Sequence, residues 1–243
     1  MKIVFSPKFY KVYSHEPAAE PGRMESIINE LKCYEFVEPK PAEEKDVLLV
    51  HTKRHFEDVK QDHTVFELAM LAVGGAILAS EIAFKEPSFG LIRPPGHHAS
   101  PDSAWGFCYF NNVAIAVKKL LAGGKISRAA IVDFDLHFGD GTANTFREEQ
   151  RVKYYHMSGS NIDGIAEFLE KHEYDIIAVS AGFDRHKEDW GGLLETEDYT
   201  KIGEIIKEFA EKKCNGRRFA VLEGGYNHEV LGKNVKAFLK GFD

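Results

Sequence analysis

The sequence predicts a single α/β domain over residues 1–243, a three-layer α/β/α arrangement with a mainly parallel sheet. Three observations lead there. Short apolar runs alternate with helix-period segments along the whole chain. The runs carry Val and Ile at consecutive rather than alternate positions, the mark of strands buried on both faces. No linker, repeat or low-complexity stretch interrupts the alternation.

Taken in order, a strand at Lys2–Phe5 leads to a helix over Gly22–Glu35, and a strand at Asp46–Val50 to a helix over Phe66–Phe84. Within that helix Leu68–Ala79 is the most apolar run, but it is far shorter than the ~20 residues a membrane span needs. A buried helix and no membrane association are expected. A strand at Gly90–Ile92 precedes a helix over Asn111–Ala122, and Ala129–Phe134 precedes Gly141–Glu149. Val152–Tyr155 precedes Asp163–His172, and Asp175–Ser180 precedes Thr196–Cys214. The last of these helices has a capping signal in Glu195-Thr196-Glu197-Asp198 and a stop in Asn215-Gly216. Arg218–Leu222 and Glu229–Lys240 complete the alternation.

Lys and Arg number 31 against 38 Asp and Glu, a net charge of -7, so phosphate neutralisation is a poor basis for partner binding and no nucleic-acid contact is expected. The three cysteines, Cys33, Cys108 and Cys214, form neither a disulfide framework nor a CxxC pair. With no apolar leader in MKIVFSPKFY, a reducing compartment and a cytoplasmic location are expected.

In open parallel sheets ligands bind beyond the carboxyl ends of the strands. Those ends carry Arg93-Pro94-Pro95-Gly96-His97-His98, then Asp133-Phe134-Asp135-Leu136-His137-Phe138-Gly139-Asp140-Gly141, then Ala181-Gly182-Phe183-Asp184, and lastly Glu223-Gly224-Gly225-Tyr226. Asp133, Asp135 and His137 alternate, so an extended chain would project them to one side. Asp135 and His137, joined by Asp184 from another strand end, make two carboxylates and an imidazole for one metal ion, with a position left open as in catalytic zinc sites. Manganese or ferrous iron would tolerate the same oxygen-rich set. An isolated Asp-x-His at a strand end is more often a turn; Asp184 and the adjacent His97-His98 are what favour the metal. The histidine pair reads as a base and an electrostatic partner, with Asp133 and Asp140 to orient it, and the Tyr226 phenol is within reach of an oxyanion. Cys108 lacks an evident base and reads as a buried thiol rather than a nucleophile. No Gly-Lys-Ser/Thr phosphate loop is present, so nucleotide binding is not expected.

At these residues the sequence resembles the zinc-dependent histone deacetylase family, which includes acetylpolyamine amidohydrolases and acetoin-utilisation proteins and shares the arginase-like fold. The likeness runs from about Leu91 to Asn227 through RPPGHHA (Arg93–Ala99), GFCYFNNVAIA (Gly106–Ala116), DFDLHFGDGT (Asp133–Thr142), SAGFD (Ser180–Asp184) and LEGGYN (Leu222–Asn227), in wording closest to the class II branch. The resemblance implies Asp135, His137 and Asp184 as zinc ligands. It implies His98, paired with Asp140, as general base and then acid, and His97, paired with Asp133, as an electrostatic aid. It also implies Tyr226 as donor to the substrate carbonyl, and Gly106 and Phe107 as walls of an acyl-lysine channel. The substrate class implied is an N-acylated amine, whether an acetyl-lysine protein, an acetylpolyamine or a small molecule.

Three departures stand out. Phe138 occupies a position where many members have a second histidine. His156-Met157-Ser158-Gly159 runs straight into Asn161-Ile162-Asp163, without the family's Pro-Gly-Thr-Gly loop and insertion, which would leave a wider, shallower pocket. Asp189-Trp190-Gly191-Gly192 replaces Asp-Pro-Leu-Gly-Gly and brings an indole to the rim. The family's potassium site uses backbone groups around Asp133–His137 and a side chain of the next strand; that strand differs here, which puts potassium in doubt. A binuclear arginase-type hydrolase and a catalytically silent scaffold on the same fold are the alternatives. Oligomeric state is left open.

Overall fold

The computed structural model describes all residues, Met1–Asp243. Its strands are β1 (Lys2–Val4), β2 (Glu35–Val37), β3 (Ser88–Gly90), β4 (Ala129–Asp133), β5 (Val152–His156), β6 (Ile177–Ala181) and β7 (Arg218–Leu222). They form one sheet in the order β2-β1-β3-β7-β6-β4-β5, and every neighbouring pair is parallel. The helices are α1 (Arg23–Glu30), α2 (Glu44–Val47), α3 (Lys53–Lys60), α4 (His63–Ile82), α5 (Asn112–Ala122), α6 (Asp140–Phe146), α7 (Asp163–Lys171), α8 (Thr196–Lys213) and α9 (His228–Phe242).

Consecutive residues of β3 show why the strands read as unbroken apolar runs. Ser88 faces α4, where its hydroxyl donates to Ala79 O at 2.6 Å, whereas the Phe89 ring lies 6.4 Å from Phe238 of α9. Helices therefore cover both faces: α4 and α5 pack together on one side, and α1, α8 and α9 on the other. Every residue of β4, β6 and β7 is buried, and each Val, Ile, Leu or Phe so placed contributes about 1.5–3 kcal/mol. α4 has the length and hydropathy of a membrane span, yet most of it is buried inside the molecule against β1, β3 and β7.

Local chemistry overrode the apolar pattern in the first third of the chain. The expected strand at Asp46–Val50 is instead α2 followed by a turn. Glu43 and Asp46 form a reciprocal capping box, with Glu43 N–H donating to Asp46 Oδ2 at 3.1 Å, and Leu48 and Leu49 stay exposed. The first helix ends at Glu30 rather than Glu35, and Glu35–Val37 becomes the edge strand β2, mostly exposed and so without an apolar signature. α3 was not expected; Thr52 starts it by accepting from His55 N–H at 3.2 Å. β3 sits two residues early, at Ser88–Gly90 rather than Gly90–Ile92. Downstream, each expected strand and helix is present, with ends shifted by a few residues at most. α8 has the capping box of Glu195 and Asp198, and the chain leaves it through Asn215 and Gly216, both at positive φ.

Candidate active site

The carboxyl ends of β3, β4, β6 and β7 meet around a small cavity of about 120 Å³. His97, His98, Trp105, Gly106, Phe107, His137, Trp190, Gly224 and Tyr226 are among the residues that line it. At its floor Asp135, His137 and Asp184 bring one ligating atom each to within 4.8 Å of one another.

These three do not arrive as an extended alternation. β4 ends at Asp133, because Asp133 Oδ1 accepts from Asp135 N–H (3.1 Å) and Asp135 Oδ1 from His137 N–H (2.9 Å), two successive side-chain turns. Leu136 N–H donates to Asp184 Oδ1 at 2.9 Å and Gly224 N–H to Asp135 Oδ2 at 2.8 Å, which ties the ends of β4, β6 and β7 together. Asp184 Oδ2 is buried with no hydrogen bond, although His137 Nδ1 lies 3.2 Å away. A buried carboxylate oxygen without a partner, beside a second carboxylate and an imidazole, fits a divalent metal ion. The electrostatics agree: Asp135 and Asp184 push the His137 imidazole up to about 10, and burial together with Asp135 pushes Asp184 up to about 6.

The two histidines differ in charge. His97 Nδ1 lies 3.1 Å from Asp133 Oδ2 and Nε2 3.7 Å from Asp135 Oδ1. Burial disfavours its protonation, but Asp135, Asp133 and Glu223 outweigh that and raise its pKa well above the usual range. His98 Nδ1 is 2.7 Å from Asp140 Oδ1, and Nε2 has no partner within the protein. Burial and the neighbouring His97 lower His98 to about 4, so it is neutral at pH 7. Since a carboxylate only accepts, Nδ1 carries the proton and Nε2 the free lone pair. Trp105 lies against His98, tilted by 32° with centroids 3.9 Å apart, and donates its indole N–H to both Asp140 oxygens at 2.9 and 3.1 Å.

Burial and the carboxylates of Asp135 and Asp184 keep the Tyr226 phenol protonated far above its ordinary range. Asp189 Oδ2 accepts from the N–H groups of Tyr226 and Asn227, both at 2.8 Å. Trp190, carried on the same turn, stacks on the Tyr226 ring at 4.1 Å. Gly106 has φ +60, and a Cβ there would lie 2.5 Å from the His98 ring, so both conformation and space require glycine. Phe107 follows at φ +67 with its ring edge-on to Tyr226 at 5.8 Å. Trp105 and Trp190, the second at the rim as expected, both stand in the pocket walls.

Three buried charged residues at the site had not been singled out. Glu223, pushed up to about 7 by burial, accepts from Gly96 N–H (2.7 Å), His97 N–H (3.2 Å) and the Ser180 hydroxyl (3.1 Å). Arg23 donates to Glu223 O (2.6 Å) and Gly225 O (2.8 Å), with its guanidinium 5.6 Å from the Tyr226 ring centre. Arg185 lies behind Asp135. Glu223 sat inside the LEGGYN motif, whereas the two arginines bond to backbone carbonyls, which leave no trace in sequence. Cys108 is buried near His97 and Glu223 with its pKa raised, by burial first, so it stays a thiol. That group contains a single carboxylate, already hydrogen-bonded, and supplies no bridging acids for a binuclear centre.

A family model described as "Histone deacetylase domain" matches residues 17–163 and 162–242. A "Probable deacetylase" of Methanothermobacter thermautotrophicus is 32% identical over 100% of this chain and 91% of its own. A "Probable deacetylase" of Archaeoglobus fulgidus is 34% identical over 85% of this chain and 74% of its own. A "Histone deacetylase-like amidohydrolase" of Pseudomonas aeruginosa is 27% identical over 79% and 66%. Among solved structures, the crystal structure of the HDA15 HD domain superposes with a TM-score of 0.88 over 99% of this chain and 88% of that one, at 20% identity, a likeness of fold.

Proposed function

The chain belongs to the histone deacetylase family, and on that premise we propose that it is a metal-dependent amidohydrolase that removes an acetyl or other short acyl group from an N-acylated amine. The observation that carries this reading is the convergence of the Asp135–His137–Asp184 cluster, the uncharged His98 and the protonated Tyr226 on one cavity. A divalent ion held by those three ligands, zinc by preference with manganese or iron as substitutes, would polarise the amide carbonyl and make a bound water acidic.

Each remaining step falls to this chain's own side chains. His98 Nε2 takes a proton from the attacking water, and Asp140, 2.7 Å from Nδ1, stabilises the imidazolium that forms. The Tyr226 hydroxyl donates to the carbonyl oxygen as that oxygen gains charge. His98 then hands its proton to the amide nitrogen as the C–N bond breaks, which yields a carboxylic acid and a free amine. His97, held beside Asp133, would add positive charge near the same site. Trp105 covers one face of His98 and excludes water from it.

The test is a substrate panel of acetyl-lysine peptides, acetylpolyamines and small N-acetyl compounds, run with metal analysis on the same sample. Turnover with about one metal per chain is expected. Tyr226→Phe should lose about 10²–10³-fold in kcat while retaining its metal, and His98→Ala should lose turnover on the same terms. No turnover of any acylated amine by the metal-loaded protein would favour a silent scaffold.

A further inference from the structure

Behind the candidate metal cluster, the carbonyl oxygens of Phe134, Asp135, Met157 and Gly159 converge on one point, and the guanidinium of Arg185 fills it. Nε donates to Phe134 O at 2.9 Å and to Asp135 O at 3.1 Å, Nη2 to Asp135 O at 2.8 Å and to Met157 O, and Nη1 to Gly159 O at 2.6 Å. His156 Nε2 stands beside them, 3.0 Å from Asp135 O and 3.2 Å from Nη2. The side chain is buried, 2% exposed, and makes no hydrogen bond to a carboxylate. Every oxygen that accepts from it is a backbone carbonyl, the coordination that a hard inorganic cation would receive. Carbonyl dipoles gathered this closely repel one another unless a cation sits among them. Burial lowers the Arg185 pKa from its ordinary value, and Asp135, Asp184 and Asp133, two of them candidate metal ligands, oppose that and favour its charge.

We propose that Arg185 is a built-in cation that takes the place of a bound monovalent ion beneath the candidate metal centre and, as a positioning residue, holds the Asp135 and Asp184 turns in place. Potassium does not fit a cluster whose centre is already occupied by a guanidinium, so the doubt raised by the altered strand resolves into a substitution of side chain for ion. The positioning half rests on the reading of Asp135, His137 and Asp184 as ligands; the ion-replacement half does not.

Two readouts keep these halves apart. Thermal unfolding of the metal-free protein is measured in potassium chloride and in choline chloride at equal ionic strength. The wild type should melt at the same temperature in both. Arg185→Ala, which opens a carbonyl-lined cavity, should melt about 5 °C or more lower in choline and recover in potassium. Zinc affinity, from competition with a chromophoric chelator, should fall 10–100-fold in Arg185→Ala and recover in potassium. A wild type stabilised by potassium over choline overturns the proposal, as does an alanine variant that responds equally to both salts. If the alanine variant folds in neither salt, Arg185→Lys decides. A folded lysine variant indifferent to the ion supports a need for charge at that point, and an unfolded one overturns it. Wild type that behaves as expected with the salts yet binds no zinc sinks the metal reading and leaves the ion replacement standing.

Discussion

Replacing Gly182 by alanine tests the metal cluster by steric means alone. Gly182 follows β6, and a Cβ built there lies 2.1 Å from Asp135 Oδ2 and 2.5 Å from the Asp135 Cα and Cβ atoms. Carbon contacts relax only near about 3.5 Å, so Asp135 must retreat by about 1 Å or more. Metal–ligand distances tolerate about 0.2 Å, so that retreat takes Asp135 out of coordination and leaves two protein ligands. Loss of orienting partners alone costs about 10–100-fold in affinity, and loss of a ligand should cost at least about 100-fold. Overpacking of this kind costs about 1–3 kcal/mol, less than the stability of an ordinary domain, so the variant should fold. Zinc titration against a chromophoric chelator, with a far-UV thermal melt on the same preparation, reads both effects. A folded Gly182→Ala protein that binds zinc within threefold of wild type would refute the assignment of Asp135.

Two further outcomes are expected. Trp105→Phe keeps a ring on His98 but removes the indole donor from Asp140, which concentrates that carboxylate's charge on His98 Nδ1. The acidic limb of kcat/KM should then move up by about half a unit to one unit, a partly exposed charged hydrogen bond's worth, and a limb that stays or moves down counts against the Asp140–His98 coupling. His51, held down to about 3 by burial and by neighbouring His55, donates to Ser100 O at 3.0 Å and accepts from Asn111 N–H at 2.9 Å. Its folded pKa lies below the ~6.5 of the unfolded chain, so its contribution is complete above pH ~6.5. That contribution drains away as pH falls toward about 3, by up to about 1.4 kcal/mol per unit. Denaturant unfolding across that window should show a shallower slope in His51→Gln, and identical slopes would contradict it.

How far the sequence spoke depended on where each residue's partners lie. The candidate site was legible as a place because its residue types cluster at strand ends: Asp135, His137, Asp184 and the tandem histidines stand out from their positions in the chain. The central strands were legible because burial on two faces forces consecutive apolar residues, as in Ala129–Asp133. β2 was not, since an edge strand of Glu35, Phe36 and Val37 is half in solvent. Leu48 and Leu49 misled because a capping box, a matter of two acidic side chains, outweighed the run of apolar residues after it. Arg23 and Arg185 escaped because a charged residue in sequence looks like surface, and the carbonyls that solvate them belong to residues 26 to 202 positions away.

Trp105 and Trp190 are the chain's only two tryptophans. One lies tilted against His98 and the other is stacked on Tyr226, and both line the cavity. The protein's tryptophan fluorescence therefore comes wholly from the walls of its candidate active site, with no distant indole to dilute it. Protonation of His98 should quench one emitter and occupancy beside Tyr226 should shift the other, so an unlabelled sample already contains a two-channel optical probe of binding.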